Sequence, residues 1–451
     1  MAVTFWVSVA VIAYVYVGYP LLVYLWARNR GGRACSAYGD AFARGDASAR
    51  RDDNRGTDDL PSVSIVIAAR NEGARIGARI ENLLGLDYPA SKRQIIVVSD
   101  GSTDATVDVL ERYSRDVIAI AVPPSGKALA LNVGVLRATS DIVVFADARQ
   151  VFAADALREL VAPFADGRIG AVTGELLLDA ESPCRRRGRD RRTPSASPVA
   201  SGFSRMTASN VSSVAVSSAA VSSVAAVRLK ADATKADATE TETEDRRVGE
   251  RRRTLRSTIA DGVGLYWTYE KQLRRFESAV DSTLGATGAI YAIRRSLWRP
   301  LPAGTILDDV LTPMRAVLAG SRVVFNERAC AFDRAAVDSD AEARRKIRTL
   351  AGNYQILGLE PRLLSPWANR VWLQYMSHKV GRLAVPYALL TMFAASLVLS
   401  ATNVFYQLVL GGQVLFYLLA GCGALLELRG RRAFDVPSLS EGETRVMKGV
   451  A

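Results

Sequence analysis

The chain has 451 residues, nearly half of them apolar, with a formal net charge of +12, one histidine and four cysteines. The basic excess suits an anionic membrane surface; nucleic acid is excluded, because the basic runs carry no interleaved aromatics. Cys35, Cys184, Cys330 and Cys422 lack CxxC spacing, so neither a zinc site nor a disulfide framework is expected. With His378 alone, Ser-His-Asp and multi-histidine metal chemistry lose their support, and that residue reads as polar and near a membrane surface.

In chain order, Thr4 to Trp26 is apolar and uncharged, long enough to cross a ~30 Å hydrocarbon core. Residues 1–27 are expected to form a transmembrane helix. Arg28, Arg30 and Arg33 follow it, which places that end in the cytosol. Residues 28–60 are rich in Gly, Ala, Arg and Asp and read as a linker. Order begins with the strand run Val63 to Ile67, closed by Ala68-Ala69-Arg70-Asn71-Glu72-Gly73. Ile76, Ile80, Leu83 and Leu84 then recur at helical spacing. A second strand, Ile95 to Val98, ends in Ser99-Asp100-Gly101-Ser102-Thr103-Asp104, where Thr103 or Asp104 can cap the next helix. Ile118 to Val122 reads as a strand, Ala128 to Ala138 as a helix, and Ile142 to Ala146 as a strand closing on Asp147. Such alternation implies an α/β fold with a parallel sheet and binding groups at the carboxyl ends of its strands.

Residues 184–256 change character. Ser, Ala, Thr and Arg dominate, and Lys230-Ala231-Asp232-Ala233-Thr234 repeats as Lys235-Ala236-Asp237-Ala238-Thr239. This composition predicts a disordered insertion. Helical spacing resumes over Glu270 to Glu277, followed by a Gly-rich segment from Gly285, a helix over Leu307 to Ala319 and a strand over Arg322 to Phe325. Residues 366–382 mix Trp, Leu and Tyr with Arg and Lys, predicting a helix along the membrane surface. Residues 383–428 hold two apolar runs of spanning length, the first interrupted by Pro386, joined by an uncharged link and followed by Arg429, Arg431 and Arg432. A hairpin returning to the cytosol satisfies the positive-inside rule, and residues 429–451 form a polar tail.

Five segments carry chemistry. Asp100 ends a strand before Gly101; by itself this reads equally as an Asp-Gly turn with a helix cap. Phe145-Ala146-Asp147-Ala148-Arg149 ends another strand in a carboxylate. Gly126-Lys127-Ala128 is not a P-loop, since Ala121 and Ala128 occupy the positions of its first Gly and its Ser/Thr; Lys127 reads equally as a solvated lysine. Asp308-Asp309 opens a helix, where two carboxylates also serve as dipole partners. Arg345-Lys346-Ile347-Arg348-Thr349 is the fifth.

Taken in order, these segments resemble family 2 glycosyltransferases of GT-A (Rossmann-like) fold, from Val63 through Gly174 and from Gly264 to about Tyr354. The membrane helices resemble those of the processive cellulose and hyaluronan synthase branch. The resemblance implies a donor half over 61–183 and an acceptor half over 257–360. It implies that Glu72, Asp100, Lys127 and Asp147 bind a nucleotide sugar, a UDP-sugar above others, and that Asp147 holds Mg2+ or Mn2+. Arg149 replaces the second Asp of the family's Asp-x-Asp. The resemblance makes Asp309 the general base, with Arg315 beyond it, and Arg348 a clamp on the departing diphosphate. Arg345 and Thr349 stand where the family's QxxRW has Gln and Trp, which weakens the case for polymer extension. The implied activity is inverting transfer to a polysaccharide or glycan acceptor by a multi-pass cell-membrane protein with a cytosolic catalytic domain. Single addition to a lipid-linked acceptor is the alternative within the enzyme class. A catalytically weak nucleotide-sugar-binding subunit of a membrane assembly is the alternative outside it.

Overall fold

The computed structural model describes residues 1–31, 60–178, 268–333 and 339–432. The chain divides into two compact units, Met1–Leu177 with Arg275–Ala451, and Leu178–Arg274. Of the second unit only residues 178 and 268–274 are described, the latter helical. The sheet, save its Leu178, and the apolar helices belong to the first unit. The predicted insertion over 184–256, nearly all of the 28–60 linker and the tail beyond 432 lie outside the described residues.

Among the described residues, eight strands form one sheet: β1 (Val63–Ala69), β2 (Arg93–Asp100), β3 (Ile118–Val122), β4 (Ile142–Ala146), β5 (Val151–Phe152), β6 (Ile169–Leu178), β7 (Ile290–Arg294) and β8 (Arg322–Asp333). Their order is β3-β2-β1-β4-β7-β6-β8-β5. The first four pair in parallel, while β7 joins β4, and β6 joins β7, antiparallel. Parallel strands are buried on both faces, which explains why β1 reads as an unbroken Val-Ser-Ile-Val-Ile run. Alternate residues serve opposite layers. Ile65 and Ile67 pack with Ile76, Ile80 and Leu83 of the Gly73–Leu84 helix. Val66 packs with Leu131 and Val135 of the Lys127–Arg137 helix. That second helix approaches closely because Gly134 faces the sheet; a Cβ there would lie 2.4 Å from Val66 Cγ1.

The register aligns Ala69 with Ser99 and Val66 with Phe145. The loops after β1, β2 and β4 therefore leave the same edge of the sheet, as a doubly wound topology requires of its binding edge.

Among the described residues, three helices are long and apolar enough to cross a membrane: Ala2–Arg30, Trp372–Leu399 and Val404–Gly423. The first two pack side by side. Ser8 Oγ lies 2.8 Å from Thr391 Oγ1, and Tyr14 Oη 2.7 Å from Ser377 Oγ. Each contains a π-helical turn, Tyr14–Gly18 and Tyr375–Val380, and the two turns meet at that Tyr14–Ser377 bond.

The separate surface helix predicted over 366–382 is not formed; the chain turns through 366–371 and Trp372 then begins the helix that runs to Leu399. Burial explains the difference. Val371 and Tyr375 join the sheet's hydrophobic core, and His378 turns inward to Glu277, with Nδ1 2.6 Å from Oε1. Tyr19 of the N-terminal helix donates to the same Oε1 at 2.7 Å. His378 is thus a buried strut, where the sequence suggested a polar residue near the membrane surface.

Candidate active site

The loops after β1 and β2 are stitched together before they meet any ligand. Asn71, at φ 55°, accepts from the Thr103 amide at 2.8 Å through Oδ1, and its own amide donates to Ser102 Oγ at 3.1 Å. Glu72 donates its amide to Thr106 Oγ1 at 2.9 Å, and its carboxylate pairs with Arg75 at 3.4 Å. Asp104 accepts from the Gly73 and Thr106 amides at 2.9 and 3.0 Å. The Thr106 hydroxyl and then the Gly73 amide hold its carboxyl below the usual range. Asp104 therefore fastens this loop pair, while the helix expected to be capped by Thr103 or Asp104 begins after Ala105 with no side-chain cap from that residue.

Asp100 is nearly sealed, at 4% exposure. Its Oδ1 accepts from the Ser125 and Gly126 amides at 2.6 and 3.0 Å. Gly101, at φ 59°, admits no side chain, since a Cβ would meet Pro124 at 2.7 Å. Asp100 and Gly101 thereby hold the loop from which the Lys127 helix departs.

That loop aims Lys127 into a cluster of carboxylates. Lys127 Nζ lies 3.1 Å from Asp147 Oδ1, at the end of β4, and 3.4 Å from Asp308 Oδ1, at the start of the Asp308–Leu318 helix. Burial alone would lower the Lys127 pKa; Asp308, Asp147 and Asp309 more than offset that and raise it. Asp309 completes the cluster. The glycine-rich loop wraps its turn of helix: the Ala286 amide donates to the Asp309 carbonyl at 2.7 Å, and the Gly288 amide to Oδ2 at 3.2 Å. A Cβ on Gly288 would come within 3.0 Å of that oxygen. Loss of solvation, then the neighbouring Asp308 charge, push the Asp309 carboxyl up to about 6, against the pull of Lys127 and Lys379.

Lys127, Asp147, Asp308 and Asp309 are thus brought together, with Asp100 supporting them. Arg149 is exposed and makes no ion pair among the described residues. Arg348 lies on the exposed side of the Ser339–Leu359 helix and likewise makes no ion pair among the described residues. One turn later Gly352 abuts Leu307, immediately before Asp308, and Gln355 bonds the Ile306 amide at 2.9 Å. The helix carrying Arg348 therefore braces the start of the carboxylate helix. Arg315 pairs with Glu360 at 3.2 Å, past the end of the same helix.

Sequence reasoning missed Arg79. It is buried, stacks over Phe152 with its guanidinium carbon 4.1 Å from the ring centroid, and donates to Asn82 at 2.6 Å. Asn82 in turn bonds both the amide and the carbonyl of Phe152, fixing the chain just beyond Asp147. Burial pushes Arg79 down to about 9, with Asp147 acting against that shift. A charged residue on the apolar stripe with Ile76, Ile80 and Leu83 was the available signal.

No group of three or more His, Cys, Asp or Glu side chains among the described residues is placed to hold a metal ion. Lys127 engages Asp147 through Oδ1 alone.

Residues 64–206 match the family model described as Glycosyl transferase family 2. The chain carries a family 2 glycosyltransferase domain. A β-monoglucosyldiacylglycerol synthase from Synechocystis sp. is 34% identical over 118 residues, 25% of each chain. A poly-β-1,6-N-acetyl-D-glucosamine synthase from Staphylococcus aureus is 34% identical over 121 residues, 26% of this chain and 29% of that one. The chain thus spans under a third of the length of the curated relatives it matches. A mannosyltransferase from Pyrobaculum calidifontis, solved with GDP-Man and Mn2+, is 20% identical over 92% of both chains with a TM-score of 0.55. That likeness establishes the fold: the glycosyltransferase domain has the mixed sheet of the GT-A class, accompanied by apolar helices of spanning length. The core of the match, β1 through β6, carries Glu72, Asp100, Lys127 and Asp147; Asp309 and Arg348 lie beyond the matched segment.

Proposed function

We propose that the chain is an inverting glycosyltransferase. It moves a sugar from a nucleotide-sugar donor, a UDP-sugar by the resemblance, to a glycan or lipid-linked acceptor at the cell membrane. The observation that carries this reading is the Lys127 bridge between Asp147 and Asp308 with Asp309 beside it. It supports reading Asp147 as the donor-side carboxylate, Lys127 as the cation and Asp309 as the base of one site. Asp309 removes the acceptor hydroxyl's proton as that oxygen attacks the anomeric carbon. A base titrating near neutrality suits this work, since it is ionised at working pH and still basic enough to take a proton. Lys127, and Arg348 when the donor is in place, offset charge on the departing diphosphate. Glu72 and Asp100 shape the nucleotide end.

A divalent cation, Mg2+ or Mn2+, enters this scheme with the donor. Asp147 would hold it, and it would supply Lewis-acid neutralisation of the diphosphate. Magnesium sites commonly draw most ligands from water and phosphate, so one protein carboxylate suffices. Chelation with EDTA is expected to abolish transfer, and Mn2+ or Mg2+ to restore it; full activity in chelator would assign charge neutralisation to Lys127 and Arg149.

One observation favours single addition to a lipid-linked acceptor over polymer extension. Thr349 bonds back to the Arg345 carbonyl at 2.9 Å within its own helix, so this position supplies no aromatic floor for a growing chain. The three apolar helices support residence in the membrane, and Arg28 and Arg30 in the last turn of the first support a cytosolic catalytic domain. Membranes containing the protein, incubated with labelled nucleotide sugars, test the reading. Labelled lipid supports single addition, labelled polymer supports extension, and no transfer with any donor defeats the enzyme reading in favour of a binding subunit.

A further inference from the structure

Asp308 takes no part in that chemistry, yet its placement is costly. It is 4% exposed, in the first turn of its helix, and makes no side-chain capping bond. Among the described residues its partner is Lys127, at 3.4 Å. A buried carboxylate so sparsely satisfied is a poor choice for holding a helix start, because a Ser or Asn would cap without the desolvation cost.

We infer that Asp308 is a positioning residue for transfer: it holds Lys127 opposite Asp147 and stands beside Asp309 at the start of the same helix. The inference rests on the reading of Asp309 as the base.

The charged surroundings of Asp309 show how. Asp308 from its own helix and Asp147 from the end of β4 disfavour its ionisation. Lys127 from the Gly126 loop and Lys379 from the π-helical turn favour it. Tyr291 of β7 faces the same carboxylates, and burial and then those charges hold its phenol neutral. Two anions thus stand against two cations. Removing Asp308 leaves the cations in excess, so Asp309 ionises more readily and becomes a weaker base. It also frees Lys127 from the acceptor side. A helix-capping role would do neither.

The test is carboxyl 13C NMR of the full chain labelled at aspartate, in detergent with chelator, the Asp309 signal being assigned by its loss in Asp309→Asn. The wild-type signal is expected to titrate near pH 6. In Asp308→Asn its midpoint should fall by about one pH unit, and Asp308→Glu should restore it. The acidic limb of kcat/KM for sugar transfer should move the same way. An unmoved midpoint in an Asp308→Asn protein that still binds nucleotide overturns the inference. Loss of nucleotide binding in both Asp308→Asn and Asp308→Ser also overturns it, assigning Asp308 to the architecture. The titration is read whether or not sugar is transferred. A shifted midpoint together with an active Asp309→Asn would therefore defeat the base assignment while leaving the charge coupling intact.

Discussion

Asp100 ends β2 and Asp147 directly follows β4, whereas Asp308 and Asp309 begin a helix; on the proposed function the first pair serves the donor and the second the acceptor. The side chains are chemically identical and their settings are opposite. Asp100 is held by two backbone amides, and Asp147 is paired through one oxygen with the Lys127 ammonium group. Asp309 has one amide donor, a like-charged neighbour and little solvation, so its charge is conditional. On the proposed function, environment rather than residue type separates the carboxylates that bind from the one that exchanges a proton.

The comparison breaks most visibly if the two sides prove interchangeable. Asp309→Asn keeps shape and removes basicity, and is expected to lower kcat by ~10²–10⁴-fold. A near-normal rate would move the base elsewhere, with Asp308→Asn the next variant to assay. Lys127 belongs to both sides, so Lys127→Met should cost about 10²-fold in kcat/KM, with donor affinity weakened as well; a loss confined to kcat would place Lys127 on the acceptor side alone.

The pH profile sharpens the contrast. Asp309 works only when deprotonated, so kcat/KM should rise as pH increases through about 6 and level off above it. No acidic limb between pH 5 and 7 would mean that the working base is a carboxylate of ordinary pKa. The smallest effect is expected at Arg348, which stands outside the cluster before donor binds. Arg348→Ala should cost about 10-fold in kcat, the equivalent of one charge-assisted hydrogen bond. No loss at all would remove it from the site.

The strand-end carboxylates were the more legible in sequence, for a physical reason. They follow short, uninterrupted apolar runs, and a strand end fixes where the next side chains emerge, so the positions of Asp100 and Asp147 are read locally, although Asp100 alone left the turn-and-cap reading open. Lys127 also left two readings open, because its surroundings depend on Asp308, far along the chain. Asp308 and Asp309 are visible as a pair, but which is crowded by Gly288 and which by Lys127 depends on how the glycine loop wraps the helix. The apolar helices of spanning length were legible in sequence; the boundary at Trp372 was not. The polar residues of Tyr375–Val380 find partners inside the protein, while composition placed them on a surface.

The most direct test of the division of labour is the donor affinity of Asp309→Asn, measured by titrating the purified full chain with nucleotide sugar and Mn2+ alongside wild type and Asp147→Asn. The account predicts a Kd for Asp309→Asn within about twofold of wild type, since removing even one hydrogen bond to the donor would weaken binding by more than that. It predicts a much weakened Kd for Asp147→Asn. Equal loss of donor affinity in both variants would contradict it, because Asp309 would then be part of the donor site.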